Sequence, residues 1–228
     1  TATAQTINLN NKRTTQLNFK LPKASSIQFD IRDEDKNPSP CKVQFIGQKG
    51  TPTPNFGPPI RARGGDHQYH SHNGQFTQQV PPGNYLLRIT RGPEFDLLEK
   101  LVEVDIGQSV KVTGILRRTV DTQGWISTDY HSHATPSGDN YCNVNDRIMN
   151  LVAENIEFAP TTEHNRLYDW QPNIDQLGVG THLKTIIGLE HTGSGQHLNS
   201  FPLKYFPYKQ DGGAPRWQYD PRLNAIVL

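Results

Sequence analysis

Between Ile27 and Val112 apolar residues recur at every second position: Ile27, Phe29 and Ile31; Val43 and Phe45; Tyr85, Leu87 and Ile89; Val102, Val104 and Ile106; Val110 and Val112. Side chains of an extended strand point alternately to opposite faces, so each run predicts a strand with one face buried and one in water. Turn chemistry separates the runs. Asp33-Glu34-Asp35-Lys36-Asn37-Pro38 reads as a solvated turn. In Pro81-Pro82-Gly83-Asn84 a proline presets φ and a glycine supplies the positive φ of a type II turn. Hydrophobic residues make up only 33% of the chain, against 19 glycines and 17 prolines, a balance suited to short strands joined by many turns. The expectation for residues 1–120 is a small antiparallel β-sandwich. Within it, the Gly-, Pro- and charge-rich stretch from Gly47 to Gly74 reads as one long loop.

Near Asp121 to Gly124 the pattern changes. Trp125 to Tyr130 reads as a strand, and Asn145 to Glu154 as a helix with Ile148, Leu151 and Val152 on one face. Ile156 to Thr161 is the next strand, and Lys184 to Leu189 a third, with the unbroken apolar character of a strand buried on both faces. Strand, helix, strand predicts a parallel sheet, so residues 121–228 form a second, α/β domain.

The residues at the carboxyl ends of these three strands carry the chemistry. The first strand ends in Asp129-Tyr130-His131-Ser132-His133, the second in Thr162-Glu163-His164-Asn165, the third in Glu190 with His197 soon after. In parallel α/β folds the carboxyl ends of the strands form the functional face, so three strands deliver ligand-type side chains to one rim. A His-x-His pair on extended chain sends both imidazoles to the same side, which suits chelation of one cation. Glu190 has two oxygens with which to bridge two ions, and Asp139 lies just beyond the pair. Imidazole and carboxylate without thiolate suit Zn, Mn or Fe in a hydrolytic site.

These segments, with Pro136-Ser137-Gly138-Asp139, Gly188-Leu189-Glu190 and Gln196-His197-Leu198-Asn199, resemble the PHP (polymerase and histidinol phosphatase) superfamily, in particular its CehA/McbA-like metallohydrolases. The upstream part, with Pro81-Pro82-Gly83-Asn84-Tyr85 and Arg91-Gly92-Pro93-Glu94-Phe95, is similar to the β domain that often precedes such enzymes. The resemblance implies a distorted, TIM-like barrel of about seven strands and up to three divalent metal ions. It makes His131 and His133 ligands of one ion, Glu190 a bridge, His197 a ligand of the second ion, and Asp139 with His164 ligands of a third. Asp129 and Asp169 become residues that orient ligands or face the substrate. Trp125 to Leu228 leaves room for only about half of a barrel of ~200 residues or more, so only its first part is expected here.

Other classes receive less support. Lys and Arg number 23 against 22 Asp and Glu, which leaves no basic footprint for nucleic acid. No run approaches the ~18 apolar residues of a membrane span. The start, Thr1-Ala2-Thr3-Ala4, lacks a charged segment followed by an apolar one; a mature exported form and a trimmed chain both fit. The two cysteines, Cys41 and Cys142, read as unrelated free thiols. His67, His70 and His72 also contain a His-x-His, but in a Gly-rich stretch with no acidic partner at a strand end, and are not expected to bind metal. His182 and His191 flank the third strand as structural or solvent-facing residues, with His191 placed to approach substrate. Trp125 and Trp170 are expected as packing residues. Two functions therefore stand side by side: a metal-dependent hydrolase acting on a phosphoester, carbamate, amide or other ester of a small molecule, and a non-catalytic glycan- or protein-binding module with a degenerate metal site.

Overall fold

In the computed structural model, which describes residues 23–193 and 196–217, the alternating runs of the first half become two sheets facing each other. β1 (Ser25–Arg32) buries Ser25, Ile27, Phe29 and Ile31, β2 (Cys41–Gln48) buries Cys41, Val43 and Phe45, and β6 (Gly83–Thr90) buries Tyr85, Leu87 and Ile89. The other strands are β3 (Arg63–Gly65), β4 (Gln68–Ser71), β5 (Gln75–Val80), β7 (Leu98–Val104) and β8 (Ser109–Ile115). They are ordered β5-β1-β8 in one sheet and β3-β4-β2-β6-β7 in the other. Phe29 of the first sheet meets Phe45 of the second edge-on, with ring centroids 5.8 Å apart. Tyr85 keeps its hydroxyl satisfied inside this core by donating to the Pro81 carbonyl at 2.7 Å.

Two expectations for this half are corrected. The sandwich is not wholly antiparallel, because β1 and β8 run parallel from Ser26↔Ser109 to Arg32↔Ile115. Apolar alternation determines which face of a strand is buried and carries nothing about the direction of its partner. The stretch from Gly47 to Gly74 is not one loop, since it contains β3 and β4, with β4 pairing against β2 from Cys41↔Ser71 to Gln44↔Gln68. Gln68-Tyr69-His70-Ser71 has one apolar residue, so its strand character rests on pairing to β2 and leaves no periodic trace.

In the second half Asn143 caps α1 (Val144–Ala153), accepting the Asp146 N–H at 2.9 Å. The helix turns Val144, Ile148, Met149, Leu151 and Val152 inward. β9 (Phe158–Pro160) and β10 (Lys184–Ile186) pair in parallel. Between them lies α2 (Gln171–Leu177), with proline in its first turn and Gly178 in the left-handed conformation at its end. Ile148, Val152, Ala159, Trp170, Ile174, Val179 and Leu183 form a second core, in which Trp170 is fully buried. β11 (Leu189–Gly193) and β12 (Gln196–Ser200) then pair antiparallel.

This is not an α/β, TIM-like barrel or the first part of one. The described residues are mostly β, with two short helices and no closed barrel. The predicted strand from Trp125 to Tyr130 is reduced to a single parallel bridge, Thr128↔Phe158. Trp125 and Ile126 are 81% and 67% exposed, so the apolar residues that suggested a buried strand lie on the surface. The third strand ends at Ile186, and Glu190, expected at its end, lies with His197 in an antiparallel pair.

The two halves meet where α1 lies on β2 and β4. Lys42 forms an ion pair with Glu154, and Asp146 Oδ1 accepts the Ala62 N–H at 3.1 Å. Gly92 sits against the end of α1, where a Cβ would lie 2.1 Å from the Glu154 carbonyl oxygen. Only glycine permits that approach at a φ of +73°.

Candidate metal centre

The His-x-His segment lies outside the strands and is held on both sides. Asp129 Oδ1 accepts the His131 N–H at 3.0 Å, and Asn199 Nδ2 on β12 donates to the Tyr130 carbonyl at 3.1 Å. Between the two histidines, Ser132 is latched to the chain leaving β9. Thr162 Oγ1 accepts the Ser132 N–H at 2.7 Å and donates to the Ser132 carbonyl at 2.9 Å. Arg147, on α1, donates from Nε to the His133 carbonyl at 2.8 Å.

His164 follows β9 and forms a parallel bridge with Glu190, the Glu190 N–H reaching the Glu163 carbonyl at 3.0 Å. On the hairpin, Glu190 lies opposite Asn199 and Thr192 opposite His197, so Glu190 and His197 share a face.

The outcome is convergence on one carboxylate. Glu190 Oε2 lies 3.3 Å from His131 Nε2, 3.2 Å from His133 Nε2 and 2.9 Å from His164 Nδ1, while His197 Nδ1 lies 2.6 Å from Oε1. His164 Nε2 is 3.0 Å from Asp139 Oδ2. The ligand atoms form two trios sharing Glu190: His131, His133 and Glu190, and His164, Glu190 and His197. The Glu190 side chain is 1% exposed, whereas those of His131, His197 and Asp139 are more than half exposed, leaving the cluster open to solvent on one side.

Glu190 Oε2 is buried and makes no hydrogen bond despite three imidazole nitrogens within 3.3 Å. A buried carboxylate oxygen without a proton donor is costly, and a cation among these lone pairs removes that cost. The donor set fits a divalent metal, and this cluster could hold one.

Electrostatics point the same way. Burial works to raise the Glu190 carboxyl, but the His197 hydrogen bond and the nearby His164 and His131 rings hold it below the usual value. Burial, aided by the neighbouring His164 ring and opposed by Glu190, depresses His133 below 6.5, which favours the neutral imidazole that metals bind.

The structure thus brings together His131, His133, Asp139, His164, Glu190 and His197. Asp129 turns toward the His131 backbone, and Asp169 Oδ1 accepts the Gln171 N–H at the start of α2, 2.9 Å away. His191 is buried, its ring 4.9 Å from that of Trp217. His67, His70 and His72 belong to no ligand cluster among the described residues. Three hydroxyls stand beside the ligands that the sequence did not single out: Thr162, Ser137, which contacts His133 Nδ1 at 3.0 Å, and Thr192, whose Oγ1 lies 2.7 Å from His164 Nδ1. Their one sequence signal is spacing: each stands two residues from a ligand candidate, Ser137 from Asp139, Thr162 from His164 and Thr192 from Glu190. No protein-family model matches the chain, and neither does any curated protein. No helix among the described residues is long and apolar enough to cross a membrane.

Proposed function

We propose that this chain carries the metal centre of a hydrolase acting on a phosphoester or a related ester, amide or carbamate bond of a small molecule. The observation that carries this reading is the buried, hydrogen-bond-free Glu190 Oε2 within 3.3 Å of three imidazole nitrogens. The likeness of the ligand motifs to those of PHP-type metallohydrolases supports it. Zn, Mn or Fe suits the donors, because neither cysteine belongs to the cluster and both are buried elsewhere. A divalent cation supplies a Lewis acid and brings the pKa of a bound water toward neutrality.

The chain's own residues do the rest. Glu190 faces His131, His133 and His164 with Oε2 and His197 with Oε1, so one carboxylate joins the two trios. Neutral His133 has a lone pair on one of its two ring nitrogens. Exposed His131, His197 and Asp139 form the side from which a substrate reaches the centre.

The test is to strip the protein of metal, reload it with Zn, Mn or Fe, and assay p-nitrophenyl phosphate, its diester and a carbamate ester. Metal-dependent turnover that Glu190→Gln abolishes supports the proposal. Turnover unchanged by Glu190→Gln, or no turnover by a protein that has taken up metal, overturns it.

A further inference from the structure

We propose that Ser137 is a positioning residue that determines which nitrogen of His133 carries the proton, and so which one is free to bind metal. Ser137 lies in the short 3₁₀ turn Thr135–Ser137, which ends on Gly138 in the left-handed conformation. Its hydroxyl has three polar neighbours. The His164 backbone nitrogen is 3.2 Å away, the His133 Nδ1 3.0 Å away, and the Glu163 Oε2 within hydrogen-bond contact.

A serine hydroxyl has one proton to give and two lone pairs. The His164 N–H can only donate, so it occupies one lone pair. Glu163 is fully buried, and its Oε2 also accepts the Ala134 N–H at 3.0 Å. That makes Oε2 an acceptor oxygen, and the serine proton goes to it. One lone pair remains, and His133 Nδ1 must fill it by donating. His133 is therefore the Nδ1–H tautomer, and its Nε2 presents a bare lone pair toward Glu190 Oε2, 3.2 Å away.

Glu163 anchors this arrangement from beneath the site. Without the serine oxygen, the Glu190 carboxylate 3.2 Å from Nε2 favours the Nε2–H form, in which the atom needed for metal carries the proton. Orienting partners of metal-bound histidines typically contribute about 10–100-fold to affinity. The consequence for metal rests on the proposed function, whereas the proton assignment rests only on the hydrogen bonds around Ser137.

The experiment uses the full chain labelled with ¹⁵N-histidine, metal-free at pH 8, with long-range ¹H–¹⁵N correlation reading the protonated nitrogen of each ring. His133 is expected as Nδ1–H in the wild type and in Ser137→Thr, which keeps the hydroxyl, and to shift toward Nε2–H in Ser137→Ala. Competition against a chromophoric chelator should show zinc bound about 10–100-fold more weakly by Ser137→Ala and nearly normally by Ser137→Thr. An Nε2–H signal for His133 in the wild type overturns the proposal without any variant, as does an unchanged tautomer in folded Ser137→Ala. If the wild type shows Nδ1–H but takes up no zinc, the metal reading fails and the positioning role of Ser137 stands.

Discussion

Replacing Gly92 by alanine tests how tightly the sandwich is coupled to the ligand-bearing half. Two costs are expected. An L side chain in the left-handed region costs about 1–2 kcal/mol. In addition, the new Cβ would lie 2.1 Å from the backbone carbonyl oxygen of Glu154, so the end of α1 must move by about an ångström. Overpacking of this kind adds about 1–3 kcal/mol, for a total near 2–5 kcal/mol. Gly124→Ala is the control, because Gly124 has a similar φ of +83° and nothing within 4 Å of the place its Cβ would take. It should lose about 1–2 kcal/mol only. Urea unfolding followed by circular dichroism reads both variants. The same displacement should reach the metal centre, because α1 holds the His133 carbonyl through Arg147. Zinc affinity is thus expected to fall in Gly92→Ala and to remain unchanged in Gly124→Ala. Equal stability losses in the two variants, with equal zinc affinity, would refute the coupling.

Three further outcomes rest on individual residues. His131→Ala removes a ligand from the first trio only, so metal content should fall while the second trio, His164, Glu190 and His197, still retains metal; loss of all metal would contradict two trios. The Cys41 thiol is pushed up to about 12 by burial, despite the opposing Arg91 charge, so a thiol reagent at pH 8 should leave it unmodified in native protein and modify it in denaturant, read by intact mass. Burial also holds His70 below its ordinary value of 6.5, against the opposing pull of Glu154, so the unfolded chain binds the proton more readily. The resulting stability is present above pH 6.5 and lost as pH falls through the folded value, and His70→Gln should show a shallower loss of stability on acidification to pH 5 with unchanged metal content; a wild-type slope in the variant would contradict this.

The sequence made much of the site legible but little of its architectural frame. Period two marked the buried faces of β1, β2 and β6 because one-sided burial leaves that trace wherever it occurs. α1 announced itself by Ile148, Leu151 and Val152, the observed helix starting one residue earlier than expected, at Val144, behind its Asn143 cap. The six ligand candidates stood out because imidazoles and carboxylates followed successive strand-like segments. The barrel was misread for a physical reason: Trp125 and Ile126 look like strand interior by hydrophobicity, yet they lie exposed beside a single bridge at Thr128. Strand polarity is equally silent in composition, so neither the parallel β1–β8 pair nor the antiparallel β11–β12 pair could be read. Ser137, Thr162 and Thr192 escaped notice because a hydroxyl acquires its role only from what the fold places around it.

The central claim is that Glu190 and the surrounding imidazoles hold metal, and elemental analysis tests it most directly. Wild type and Glu190→Gln are loaded with zinc, dialysed exhaustively and analysed for metal per chain, with folding confirmed by circular dichroism. The account predicts at least one zinc ion per wild-type chain and almost none in the variant, because Glu190 belongs to both trios. A wild-type chain that retains no zinc, or a variant that retains as much as the wild type, would contradict it.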